Sequence, residues 1–369
     1  MRTTIPRPTG RLAITALSLF AVLATAACSD SSTPTSSNAA GASALSGGAP
    51  ATTLRLGYFA NVTHAAAVLG VADGTFTAAL GSTKLETQVF NAGPAAIEAL
   101  NADAIDAAFL GPSPAINAFA KSGGASLRIV AGATANGASL VVKPDIGSAA
   151  QLKGKTIATP QLGGTQDVAL RKYLADNGLH VQTNGGNDVD IVNQDNSQTL
   201  DLFRSGQVDG GWLPEPWASR LVIDAGAKVL VDEATLWPGG QFPTTILIVG
   251  KKYLDAHPDV VKALISGELT AIDEIAKDPA AARTKVNDAI GALTGKKLSD
   301  KVIESSFKSI KITYDPLAAT YEDSGKHAVD GGLLKAAPDI NGIFDLRILN
   351  GLLAAKGEKP VSAAGLGEQ

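Results

Sequence analysis

The sequence predicts an α/β protein built from two similar halves, and three observations carry that prediction. From Thr53 onward, short apolar runs of strand length alternate with helical patterns, which argues for parallel sheets covered by helices. The stretch from Leu100 to Pro112 is echoed by the stretch from Phe203 to Pro214. Each reads as a helix end, a tight turn, an aspartate (Asp106 or Asp209), a short strand and a proline-opened next helix. At 369 residues, 45% hydrophobic and 18% charged, the chain can bury two separate cores.

The elements follow in order. Strands are expected at Leu54–Phe59, Lys84–Phe90, Ala107–Leu110 and Leu127–Ala133, with helices at Ala65–Ala72, Pro94–Leu100 and Ser113–Lys121 between them. The alternation continues with strands Thr156–Thr159, Asp188–Asn193 and Gly210–Leu213 and helices Thr165–Asn177, Ser197–Ser205 and Glu215–Asp224. After a strand near Thr244–Val249 the pattern is helical through residue 309 and again over 317–355.

Residues 1–27 read as a signal peptide. Arg2, Arg7 and Arg11 give a positive start, Leu12 to Leu23 an apolar run too short for a comfortable membrane span, and Ala24 to Ala27 a small-residue end. Cys28, the single cysteine, follows these small residues as in a lipobox, although Thr25 stands where such boxes usually carry Leu. Acylation of Cys28 would anchor the protein on the outer face of the cell membrane, or in a periplasm. Residues 28–52 form a Ser/Gly/Pro/Ala tract without hydrophobic periodicity, expected to be a flexible tether.

Composition excludes several function classes. The formal charge is −4 with no Lys/Arg cluster, so neither nucleic acid nor anionic lipid has a basic footprint to bind. One cysteine allows no disulfide, thiolate cage or redox pair. The four histidines (His64, His180, His257, His327) are not spaced as helical metal pairs. No Gly-x-Ser-x-Gly, phosphate-cradling Gly-Lys-Ser/Thr or acidic cluster asks for catalysis. The expectation is a non-enzyme with no cofactor and no metal.

In open α/β sheets ligands sit beyond the carboxyl ends of strands, where helices begin. Three such junctions share one chemistry: Gly93-Pro94, Gly111-Pro112-Ser113, and Gly163-Gly164-Thr165-Gln166. Glycine lets a ligand approach the backbone, and proline in a first helical turn wastes no donor. Free amides and the positive helix end then favour an anion without any arginine. The same residues also serve as ordinary turns and caps, so one junction alone would mean little. Tyr58, Asn61 and His64 on the first loop could each donate to a ligand. Trp212 and Trp217 could wall an organic tail. Glu215 could fix a lid or cap a helix, because a carboxylate facing an anion would repel it.

These residues resemble a known family. Leu54-Arg-Leu-Gly-Tyr-Phe, Phe90-Asn-Ala-Gly-Pro with Glu98-Ala-Leu, Leu152-Lys-Gly-Lys-Thr-Ile-Ala before Gly163-Gly-Thr, and Ser205-Gly-Gln-Val-Asp with Glu215-Pro-Trp are similar to the aliphatic sulfonate, taurine and nitrate binding proteins of ABC importers. The similarity spans about residues 53–350. It implies a type II periplasmic binding protein fold, two sheet-and-helix lobes joined by two crossing strands near 137–142 and 241–249. Lobe I would comprise 53–137 and 243–369, and lobe II 138–242. The implied protein is a monomer that closes on a small anionic solute and presents it to a membrane permease and its ATPase. Ala95 stands where sulfonate binders often carry a polar residue, and Ala218 where nitrate binders commonly carry Asn. An alkyl or aryl sulfonate, including taurine, is the first expectation, and nitrate or bicarbonate the second. A thiamine-pyrimidine precursor binder and a ligand-dependent signalling lipoprotein remain further readings. The enzymatic branch carries a cysteine-rich motif that this chain lacks.

Overall fold

The computed structural model describes residues 51–184 and 186–369. The expected signal peptide, Cys28 and nearly all of the tether lie outside the described residues. The first stretch runs β1 (Thr53–Tyr58), α1 (Ala65–Ala72), α2 (Thr75–Leu80), β2 (Lys84–Val89), α3 (Gly93–Asn101), β3 (Ala107–Leu110), α4 (Pro112–Lys121) and β4 (Leu127–Asn136). The second runs β5 (Ala138–Val142), β6 (Thr156–Thr159), α5 (Thr165–Asp176), β7 (Asp190–Asn193), α6 (Asn196–Arg204), β8 (Gly210–Pro214), α7 (Trp217–Ala225) and β9 (Lys228–Asp232). The remainder comprises β10 (Pro243–Gly250), α8 (Lys251–Ala256), α9 (Pro258–Lys277), α10 (Pro279–Thr294), α11 (Asp300–Ser309), β11 (Ile310–Ile312), α12 (Tyr321–Asp330), β12 (Phe344–Asp345), α13 (Arg347–Ala355) and β13 (Gly367–Glu368).

These strands make two sheets. The eight-stranded sheet has the order β13-β12-β4-β10-β3-β1-β2, with β11 added on β4, and the five-stranded sheet has the order β7-β6-β8-β5-β9. The order β2-β1-β3-β10-β4 of the first matches β7-β6-β8-β5-β9 of the second, position for position. Alternation alone predicts parallel sheets, but each sheet is mixed. β10 runs antiparallel to β3 and β4, and β5 antiparallel to β8 and β9. Each is the strand that enters its sheet straight from the other one. β5 follows β4 with only Gly137 between them, and β10 follows the second sheet's last strand after residues 233–242.

The echo in the sequence has a physical counterpart. Asp106 accepts from the backbone N–H of Arg55 on β1 (2.8 Å) and from its guanidinium Nε (3.0 Å). Asp209 accepts from the backbone N–H of Thr156 on β6 (2.9 Å) and from Lys143 Nζ (2.8 Å). Each aspartate therefore ties the entry of its own strand to the neighbouring parallel strand, at equivalent places in the two sheets.

The first sheet carries one continuous core that includes Leu54, Leu56, Phe109, Ile246 and Leu264. In the second sheet the strand period of two divides the core. Leu140, Val142 and Trp212 face one layer, and Val141 and Leu213 the other. Glycine and serine punctuate the helices. α7 and α10 end on left-handed Gly226 and Gly295, and Ser299 caps α11 by accepting from the Val302 N–H.

Candidate functional site

Four helices, two from each sheet, start around one pocket: α3 and α4 on the first sheet and α5 and α6 on the second. Their N-cap residues are Ala92, Gly111, Gly164 and Asp195, and none makes a side-chain cap hydrogen bond. The first-turn amides are therefore not capped from within, which suits an external anion at the positive helix ends. The pocket is lined by Asn61, Thr63, His64, Asn91, Gly93, Gly111, Gly164, Thr165, Gln166, Asn196 and Thr244, with Phe59, Pro114, Pro160 and Pro214 as apolar wall. Among the described residues, no lysine or arginine lines it. It encloses about 30 Å³.

Two buried polar atoms in this lining have no partner among the described residues, the hydroxyl of Thr165 and the amide oxygen of Asn196. Buried polar groups are ordinarily satisfied, so each points to something the protein itself does not supply. His64 is buried beneath the ring of Phe59, 4.3 Å between centroids, and burial lowers its pKa to about 3. Its Nδ1 accepts from the Phe59 N–H (3.4 Å), which places the ring proton on Nε2 as a donor. The site is thus rich in neutral donors and poor in formal charge.

The loop before α5 is held from below. Asp167, fully buried, accepts from the Gly163 N–H (3.0 Å), the Thr159 hydroxyl (3.1 Å), Asn193 Nδ2 (3.1 Å) and Arg171 Nε (2.9 Å). Arg171 in turn donates to the carbonyls of Gln182 (2.9 Å) and Thr183 (3.3 Å). Gly163 sits at φ +73°, a left-handed turn that an L side chain would strain. This network went unread in the sequence, although Asp and Arg four apart on one helix face is a readable spacing.

The two sheets touch across the pocket. Trp217 Nε1 donates to Asn61 Oδ1 (2.8 Å), and the Thr63 N–H to the Glu215 carbonyl (3.3 Å). The Glu215 carboxylate accepts from Ser219 Oγ (2.9 Å) and from Ser306 Oγ on α11 (3.0 Å), and burial raises its pKa. Gly111 lies so near Thr165 that a Cβ there would overlap the Thr165 hydroxyl.

Of the residues read from sequence, Asn61, His64, Gly93, Gly111, Gly164, Thr165 and Gln166 come together on the lining. Tyr58, Pro94, Pro112, Ser113 and Gly163 stand beside the pocket without lining it. Trp217 lines a larger adjoining cavity of about 620 Å³ between the sheets. Glu215 braces the contact between sheets. Trp212 is a correction: it is fully buried in the second core, its indole N–H donating to Glu233 (2.7 Å), and does not reach the pocket. A tryptophan on a central strand alternates into the core as readily as toward a ligand, so its type alone could not decide. Sequence reading missed Asn91, Thr63, Thr244 and Asn196. The last stands at the start of α6, a strand-to-helix junction of the same kind as the other three but without their Gly-Pro or Gly-Gly signature.

Residues 47–290 match the NMT1-like family, and the chain belongs to it. A taurine-binding periplasmic protein of Escherichia coli (strain K12) is 28% identical over 200 residues, 54% of this chain and 60% of that protein. The chain thus spans little more than half of that relative's length. Among solved structures, the alkanesulfonate-binding protein SsuA from Xanthomonas axonopodis pv. citri bound to MOPS superposes with a TM-score of 0.64 at 23% identity, covering 79% of this chain and 96% of that one. The nitrate-binding protein NrtA from Synechocystis PCC 6803 superposes with a TM-score of 0.66 at 18% identity, covering 78% and 83%. These likenesses establish the periplasmic binding protein fold. The relatives named here are binding proteins.

Proposed function

We propose that this chain is the extracytoplasmic solute-binding component of an ABC importer, capturing a small organic anion, an alkyl or aryl sulfonate or taurine, between two lobes. Lobe I is residues 53–137 and 243–369, and lobe II is 138–242. The carrying observation is the pocket where four uncapped helix starts from both sheets meet two unpartnered buried polar atoms. An oxyanion held only by neutral donors is bound without a buried counter-charge, which suits capture followed by release to a permease. Closure hinges on the two passages between sheets. Anchoring through acylated Cys28 places the protein beside its permease, on the outer face of the membrane.

A titration of the purified protein against sulfonates, taurine, nitrate and bicarbonate tests this. A ligand that binds only the native state raises its apparent melting temperature. A rise with a sulfonate or taurine supports the reading, while a response confined to nitrate or bicarbonate keeps the fold and replaces the solute. No response to any of them removes the anion class.

A further inference from the structure

The inner pocket, at about 30 Å³, has room for an oxyanion head but not for an organic molecule. The adjoining cavity of about 620 Å³ has Asn61, Asn91 and Asn196 in common with it, so the two lie side by side. A tail must therefore run outward into the larger space, and the composition of that space is unlike the inner one. Its apolar surface comes from Ala60, Val89, Phe90, Trp217 and Leu298. Its charged surface holds four cations, Arg204, Arg220, Lys296 and Lys297, against two carboxylates, Asp195 and Asp224. The Trp217 ring is fixed by its bond to Asn61 and lies under the Arg220 guanidinium, 4.6 Å from the ring centroid. Lys297 is paired with Asp288 (2.6 Å) and Arg220 with Asp224 (3.6 Å), whereas Lys296 makes no ion pair among the described residues.

Building on the proposed function, we infer that the outer cavity is a tail subsite that selects organic anions whose far end is negatively charged, with Trp217 as the platform for the chain or ring and Lys296 and Arg220 at its terminus. A molecule of this class is anionic at both ends. The head takes the uncharged inner pocket, where hydrogen bonds suffice, and the second acidic group takes the cation-rich mouth. A zwitterion such as taurine brings an ammonium group to that mouth and is disfavoured.

The test is a calorimetric titration with matched sulfonates whose tails end in carboxylate, methyl or ammonium, in a three-carbon and an aryl series, at low salt. Carboxylate-tailed probes should bind about fivefold or more tighter than ammonium-tailed ones of equal length, the size expected of one partly solvated charge contact. Lys296→Glu, an exposed change, should cut that ratio by at least about fivefold, the carboxylate-tailed probe losing more affinity than the methyl-tailed one. Equal or tighter binding of the ammonium-tailed probes, or a ratio indifferent to Lys296→Glu, overturns the tail subsite while the sulfonate reading stands. Failure of every sulfonate to bind overturns the sulfonate reading, and the subsite with it.

Discussion

Asp167 shows how much a single buried side chain fixes here. Its carboxylate is wholly enclosed and gathers four donors, among them the Gly163 amide that shapes the start of α5. Asp167→Ala leaves the Arg171 guanidinium buried without its partner and should destabilise the fold by about 3–5 kcal/mol, read as a fall in denaturant midpoint. Gly111→Ala tests the pocket instead of the core. The added methyl overlaps Thr165 across the cleft, so ligand affinity should fall on the order of tenfold, the equivalent of modest overpacking. Melting temperature without ligand should change little. Unchanged affinity in Gly111→Ala would mean that the sheets need not meet there to bind. Glycine next to proline was legible in the sequence as a helix start. That Gly111 must stay a glycine because a threonine from the other sheet abuts it was not legible, since the contact joins residues far apart in the chain.

At the scale of elements, the strands and helices around the pocket were legible because their pattern switches cleanly between periods of two and 3.6. Gly-Pro and Gly-Gly marked the starts of α3, α4 and α5, but nothing comparable marks α6. The short edge strand β9, with Val229 half-exposed, also escaped, and the direction of β5 and β10 follows only from the chain's passage between sheets. Buried ionisable groups on these elements set the pH response. His64 has a folded pKa of about 3, depressed by burial, so its contribution is present above the unfolded value near 6.5 and is lost as pH falls toward 3. Glu233, raised to about 8 by burial although the indole N–H groups of Trp212 and Trp237 pull the other way, acts oppositely: its contribution is present below its unfolded value and is lost as pH climbs toward 8. Between about pH 6.5 and 8, stability should therefore decline at up to about 1.4 kcal/mol per unit from this group, and Glu233→Gln should flatten that limb in chemical denaturation at several pH values. Glu268 on α9 is fully buried, neither carboxyl oxygen is bonded among the described residues, and burial holds its pKa well above normal. Glu268→Leu should raise the melting temperature at pH 8, consistent with removing about 1–3 kcal/mol of unsatisfied burial.

At the scale of the molecule, the two sheets repeat one strand order, and each contributes two helix starts to the same pocket. The internal echo around Asp106 and Asp209 was the part of this plan visible in the sequence, because strand-tying aspartates recur at fixed positions. The convergence of the helix starts was not visible, since it depends on how the sheets face each other. The most direct test of the account is calorimetric titration of a sulfonate into the wild-type protein and Gly111→Ala in parallel. The account predicts one site per chain in the wild type and affinity weaker by on the order of tenfold in the variant, with both proteins equally folded. Equal affinity in the two, or no sulfonate binding in the wild type, would contradict it.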